Sequence, residues 1–69
     1  MKISARNRLK GKIVEVRKAA ATAHVRIDIG GGSIVTASIT NEAADELGLA
    51  VGGGARAVVN ASDVMIAID

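Results

Sequence analysis

The sequence contains no cysteine, proline, phenylalanine, tyrosine or tryptophan, and it has one histidine. The lack of cysteine excludes a disulfide framework, and one histidine without any thiolate argues against a structural zinc site. A chain of 69 residues is short. A domain of this size buries only about 60% of the surface that its unfolded chain exposes, so its own core is marginal. Oligomerisation is the remaining way to stabilise it.

Hydrophobic residues make up 49% of the chain, and they are mainly Ala, Val, Ile and Leu because aromatic side chains are absent. Without an aromatic side chain to fill the centre, β-branched strands that pack across subunits are the more natural source of buried area. No apolar run approaches the roughly 18–20 residues that span a bilayer, and no signal peptide is present. We therefore expect a soluble, cytoplasmic protein without a membrane partner.

Alternating apolar residues predict five short strands and one helix. The helix lies between the third and fourth strands, with Thr40 as its N-cap and Gly48 at its end. The strands are predicted at Leu9–Lys18, Ala21–Ile29, Ser33–Thr40, Ala55–Asn60 and Val64–Ile68. This order predicts an all-β fold, a five-stranded Greek-key barrel of the oligonucleotide/oligosaccharide-binding (OB) type, with residues 1–69 forming a single domain.

The sequence leaves the register of the first strand open, but it predicts the turn after the second strand. The alternation in the first strand switches between Ile13 and Val14, so either a bulge shifts the register or both faces meet apolar partners. The glycine triplet at residues 30–32 supplies the positive φ angles of a hairpin turn.

Catalytic motifs are weak in this chain. Ser62, Asp63 and His24 are the residue types of a hydrolytic triad, but nothing in the sequence positions them together. His24 instead fits a surface or interface histidine. The stretches GGGSIVT and VGGGARA lack the lysine of a phosphate-binding P-loop, so turns explain both glycine triplets. We predict that the protein is not an enzyme and has no catalytic residues.

The charge balance is mildly basic, with a net charge of +2 and a pI near 9.5. An anionic partner is compatible with this balance but is not demanded by it. OB-type surfaces that bind nucleic acid stack bases on aromatic side chains, and this chain has none. The cations Lys10, Lys12, Arg17 and Lys18 alternate with Glu15 and are typical of a solvated face. We expect no nucleic-acid partner.

Three clusters of hydrogen-bond donors stand at the ends of the predicted elements. They are Ser4-Ala5-Arg6-Asn7, Thr40-Asn41 at the helix start, and Asn60-Ala61-Ser62 at a strand end. Convergent hydroxyl, amide, guanidinium and backbone N–H groups are what an oxyanion needs. Small residues around such donors suit a compact tetrahedral dianion, although caps and turns use the same residue types.

Three stretches of the sequence resemble the molbindin family, the small Mop-type molybdate- and tungstate-binding proteins whose module is also called a TOBE domain. They are ISARNRLKGKIVEV, ASITNEAADELGLAVG and AVVNASDVMIAI, and together they cover nearly the whole chain. The resemblance implies a homohexamer, built as a trimer of dimers. It also implies that molybdate or tungstate is held between subunits by hydrogen bonds, without a covalent cofactor and without direct protein ligands to a metal cation.

The resemblance also nominates the residues of the oxyanion site. The N-terminal cluster of one chain is joined by the helix start and by the segment after the fourth strand of a neighbour. Carried over residue by residue, the set is Ser4, Ala5 through its backbone, Arg6, Asn7, Thr40, Asn60, Ala61 through its backbone, and Ser62. Asn60 stands where the family commonly has lysine, and Gly52-Gly53-Gly54 replaces a charged turn. Polar positions within residues 19–24 are candidates for a second class of site near the threefold axis.

The function implied by the resemblance is intracellular storage or buffering of the oxyanion. Sulfate has the same charge and shape but is smaller, so the distances from the donors to its oxygens would be too long for good hydrogen bonds. An oxyanion-sensing oligomerisation or regulatory module is the main alternative, and a nucleic-acid-binding OB domain is a further one. The short chain favours storage, because a regulator would need an additional DNA-binding or transporter domain.

Overall fold

The computed structural model describes residues 3–69 and folds as one curled antiparallel sheet with a short helix. The strands are β1 (Asn7–Lys18), β2 (Thr22–Gly30), β3 (Ser33–Thr40) and β4 (Gly54–Val59), and the helix α1 is Asn41–Glu46. A 3₁₀ turn, Ala61–Asp63, follows β4. The strand order is β3-β2-β1-β4, so β3 and β4 are the edge strands. The all-β class and the helix between the third and fourth strands agree with the prediction.

A bulge explains why the alternation in β1 switches. Ile13 pairs with Ile27 of β2, but the next recorded pair joins Glu15 to Arg26, so Val14 is the extra residue. Ile13 is buried whereas Val14 is exposed. Of the two readings of this strand, the register shift is therefore confirmed.

The β2–β3 hairpin follows the predicted pattern closely. Ala23, Val25 and Ile27 are buried while the residues between them are exposed, as a half-buried strand requires. The turn residues Gly30–Gly32 all have positive φ angles. The Gly30 N–H also donates to Asp28 Oδ1 at 2.8 Å, and this hydrogen bond at the end of β2 stabilises the turn.

The helix α1 is short and depends on its contacts with the sheet. Thr40 Oγ1 accepts a hydrogen bond from the Ala43 N–H at 3.0 Å, as the predicted N-cap should. Ala44 is buried against the sheet, and Lys18 at the end of β1 forms an ion pair with Asp45. No helix in the described part of the chain is long and apolar enough to cross a membrane.

The core lies on the concave side of the sheet and consists of aliphatic side chains. Ile13, Val25, Ile27 and Ala57 are its buried members. Gly11 allows β1 to approach β2 closely, because a Cβ atom built there would lie 2.5 Å from the carbonyl oxygen of Asp28. The small core is what the short, aromatic-free sequence predicted.

The fifth predicted strand does not form within the single chain. Residues 64–69 pair with no strand of the described chain, and Met65, Ile66 and Ile68 are 92%, 86% and 92% exposed. An open groove of about 720 Å³ lies on the side of the sheet that carries the core. Its lining is mainly apolar and includes Val25, Ile27, Val35, Ile39, Ala55 and Ala57, and Lys10 and Arg56 also border it. The predicted barrel is therefore open in one chain, since its own C-terminal segment does not return to cover this groove.

Candidate functional site

An open cleft of about 320 Å³ lies at the end of the sheet where β1 begins and β4 ends. It is lined by Ile3, Ser4, Ala5, Val58, Val59, Asn60 and Asp63. The cleft forms here because Asn7 of β1 pairs with Val59 of β4, which places the residues before Asn7 beside the residues after Val59. Of the nominated residues, Ser4, Ala5 and Asn60 thus line one cleft within a single chain. Four others are their neighbours in the sequence but do not line it, namely Arg6, Asn7, Ala61 and Ser62.

The N-terminal cluster presents its polar groups around one buried residue. Ala5 is buried, whereas Ser4 and Arg6 are exposed on either side of it. Within residues 3–69, Arg6 makes no ion pair, and no hydrogen bond from the Ser4 or Arg6 side chain is recorded. The guanidinium and the hydroxyl are therefore available to a ligand.

The segment after β4 adds donors from a turn. Asn60 precedes the 3₁₀ turn but does not cap it with its side chain, so the amide can donate elsewhere. The Asn60 carbonyl accepts from the Asp63 N–H at 2.9 Å, which closes the turn. The first N–H groups of a helical turn have no partner inside it. In this turn, the backbone N–H groups of Ala61 and Ser62 have no such partner and can donate to a ligand.

Asp63 was not among the residues nominated from the sequence, yet it lines the cleft. No ion pair of Asp63 is found within residues 3–69. A carboxylate in this position repels an oxyanion, so it opposes the attraction of Arg6. Asp63 directly follows the nominated Ser62 in the sequence, and this adjacency could have indicated that Asp63 lines the cleft.

Thr40 lies at the opposite end of the sheet from the cleft. It pairs with Thr22, whose carbonyl accepts from Ala19 just beyond the end of β1. Because β1 has twelve residues at about 3.3 Å per residue, its two ends are on the order of 30 Å apart. Thr40 Oγ1 accepts from Ala43, which leaves its O–H free to donate. Thr40 and the cleft can therefore share a ligand only when they come from different chains.

The residue types of a hydrolytic triad are not brought together. His24 pairs with Arg17 in β1 and with Ser38 in β3, towards the end of the sheet that is remote from Ser62 and Asp63. In the part of the chain that the structure describes, no three His, Asp or Glu side chains cluster as metal ligands would.

Comparison with known proteins identifies the family. The TOBE domain matches residues 3–66. A probable molybdenum-pterin-binding protein of Haemophilus influenzae is 45% identical over 69 residues, which is the full length of both chains.

Solved structures agree with the predicted fold. MopII from Clostridium pasteurianum in an apo form superposes with a TM-score of 0.91 and 45% identity, over 97% of this chain and 100% of that one. The cytoplasmic molybdate-binding protein ModG, with molybdate bound, superposes with a TM-score of 0.90 and 40% identity, over 94% of this chain and 46% of that one. On the strength of this sequence match and these superpositions, the chain belongs to the TOBE-domain family and, within it, to the Mop proteins, the molbindins that its motifs resemble.

Proposed function

We propose that this protein binds molybdate or tungstate without transforming it, and that it stores or buffers the oxyanion in the cytoplasm. The observation that carries the proposal is the cleft lined by Ser4, Ala5 and Asn60, beside which the rest of the Ser4–Asn7 and Asn60–Ser62 clusters lies in the chain. The relatives point to the same ligand class, since one is a probable molybdenum-pterin-binding protein and ModG is a cytoplasmic protein with molybdate bound.

The proposed binding chemistry is a set of hydrogen bonds with one fixed cation. The Arg6 guanidinium neutralises part of the dianion charge, and hydrogen bonds to an ionised group are stronger than neutral ones. The Ser4 hydroxyl, the Asn60 amide and the backbone N–H groups of the 3₁₀ turn supply further donors. Donors spaced for molybdate or tungstate would be too far apart for the smaller sulfate, so pocket size gives the selectivity.

We propose further that the complete site lies between chains of a homohexamer. The position of Thr40 supports this, because its hydroxyl is at the far end of the sheet from the cleft of its own chain. The groove between the edge strands and the exposed apolar segment at residues 64–68 also support assembly. Each chain would cover the groove of another with this segment, since both features are apolar and, within residues 3–69, neither is covered by the same chain.

The test is isothermal titration calorimetry with molybdate, tungstate and sulfate, together with native mass spectrometry. We expect tight binding of molybdate and tungstate and weak binding of sulfate. In the mass spectrum, we expect hexamers whose mass rises by that of the bound oxyanions. An oligonucleotide added in the same spectrometer should not bind. Equal affinity for sulfate, or a monomer that binds molybdate as tightly as the assembly does, would contradict the proposal.

A further inference from the structure

The charges of the protein are unevenly distributed over the sheet. We define the outer face as the side of the sheet opposite to Ile13, Val25 and Ala57. It carries six of the nine Lys and Arg residues but only two of the seven carboxylates. The cations are Arg8, Lys10, Lys12, Arg17, Arg26 and Arg56, and the carboxylates are Glu15 and Asp28. With His24 neutral, the outer face has a net charge of +4, although the whole chain has only +2.

The centre of the outer face is a like-charge pair. Lys10 of β1 and Arg56 of β4 lie directly opposite each other in the register, with Arg8 and Lys12 on either side of Lys10 along the same strand. Like charges that face each other across an antiparallel pair destabilise a sheet. Among residues 3–69, no ion pair of Lys10 or Arg56 offsets this cost.

Both carboxylates of the outer face are already engaged. Asp28 accepts a hydrogen bond from the Gly30 N–H at 2.8 Å, and Glu15 lies 3.9 Å from Arg26. Within residues 3–69, neither Lys10 nor Arg56 forms an ion pair. Asp28 lies opposite Lys12 in the register and offsets part of the charge of that lysine, so the uncompensated positive charge is centred on Lys10 and Arg56.

The cations form a row that leads to the cleft. Arg6, Arg8, Lys10 and Lys12 occupy every second position of the chain. Neighbours along an extended strand are about 6.6 Å apart at this spacing. That distance is shorter than the screening length of about 10 Å at 0.1 M ionic strength, so the charges act together on an approaching anion. Val58, which pairs with Arg8, also lines the cleft, so the row and the site are continuous.

We propose that the outer face is a collecting surface for the oxyanion. Arg8, Lys10, Lys12 and Arg56 hold the dianion weakly and diffusely, raise its concentration beside the cleft, and so increase the rate at which it enters the site. This inference rests on the proposed function, because it concerns the ligand of the same site. It assigns a role to cations that do not line the cleft, two of which, Lys10 and Arg56, also border the groove, so the test checks assembly as well as binding.

The test compares association and dissociation rates for molybdate, measured from NMR line shapes of the backbone amides across a titration. The variant carries Lys10→Gln and Arg56→Gln. One control carries Lys10→Arg and Arg56→Lys, which keeps the charges. The other carries Ala50→Glu and Val51→Glu, two exposed positions in the loop between α1 and β4 that do not belong to the sheet, and lowers the net charge by the same amount. Native mass spectrometry checks that every variant assembles like the wild type.

We expect the glutamine variant to bind molybdate at least about threefold more slowly at low salt, with an unchanged dissociation rate. The difference should shrink between about 0.01 M and about 0.15 M ionic strength, as the screening length falls from about 30 Å to about 8 Å. Both controls should keep the wild-type association rate.

Three outcomes overturn the inference while leaving the proposed function intact. They are an unchanged association rate in the glutamine variant, an equal loss in the loop control, and a faster dissociation rate, which would make Lys10 or Arg56 a direct ligand. If the wild-type protein does not bind molybdate at all, the proposed function fails and this inference fails with it.

Discussion

At the scale of single residues, Arg6 supplies the one cation among the nominated site residues. It is exposed beside the buried Ala5 and makes no ion pair within residues 3–69. A hydrogen bond to a charged group contributes about 1.5–3 kcal/mol, and Asn60 offers no second cation to replace it. Arg6→Ala should therefore weaken molybdate binding about tenfold or more, as measured by calorimetry. An affinity equal to that of the wild type would remove Arg6 from the site.

Asn60 lines the cleft with a neutral amide and adds no charge to that of Arg6. Asn60→Lys should tighten molybdate binding and make it more sensitive to salt, because a point charge is screened whereas an amide dipole barely is. The same change should destabilise the ligand-free assembly, since it brings new cations close to Arg6. Molybdate should reverse that loss by binding only the folded state.

The measurement for Asn60→Lys is thermal unfolding by circular dichroism or calorimetry, because the chain has no Trp or Tyr to report by fluorescence. Both proteins are compared with and without molybdate at two salt concentrations. If molybdate stabilises the variant no more than the wild type, Asn60 does not contact the ligand.

Asp63 brings a negative charge to the cleft that the nominated residue set did not include. Asp63→Asn keeps the shape of the side chain and removes its repulsion towards a dianion, so molybdate should bind more tightly. In exposed surroundings such a charge contributes roughly 1 kcal/mol at contact distance, which corresponds to about a fivefold change. Weaker binding by the variant would instead show that the carboxylate positions a donor.

At the scale of the elements, the contact between β1 and β2 depends on Gly11. A Cβ atom there would lie 2.5 Å from the Asp28 carbonyl oxygen and 2.6 Å from Ile27 Cγ2, so the strands would have to move apart. Gly11→Ala should lower the free energy of unfolding by about 1–3 kcal/mol, the usual cost of overpacking. Gly54→Ala in β4 is the matched control, because nothing lies within 4 Å of its added Cβ. Equal unfolding temperatures for the two variants would contradict this account of the packing.

At the scale of the whole molecule, the exposed C-terminal segment and the open groove lead to the prediction that this segment holds the assembly together. A chain ending at Asp63 lacks the apolar residues 64–68, so it should form smaller assemblies and unfold at lower temperature than the full chain. Ile66→Asp with Ile68→Asp tests the same contact without shortening the chain, and Ala67→Ser is a mild control. The measurement is sedimentation velocity at micromolar concentration. A hexamer that persists in both altered proteins would exclude this segment from the interfaces.

Local patterns in the sequence were sufficient for most of the elements. The alternation of Ala23, Val25 and Ile27, the Thr40 cap and the glycine turn were all confirmed, because each depends on residues within a few positions of one another. The family resemblance was confirmed as well. It depends on short motifs at fixed spacing, and the TOBE domain that they indicated matches residues 3–66.

The tertiary structure decided what depends on pairing between distant segments. The register that joins Asn7 to Val59 brings Ser4 and Asn60 to one cleft, puts Asp63 in its lining, and leaves Thr40 at the other end of the sheet. The bulge at Val14 and the unpaired residues 64–68 were decided in the same way. Periodicity shows which face of a strand is apolar, but the partner of that face depends on contacts far apart in the chain. For the C-terminal segment, residues 3–69 of a single chain contain no such partner.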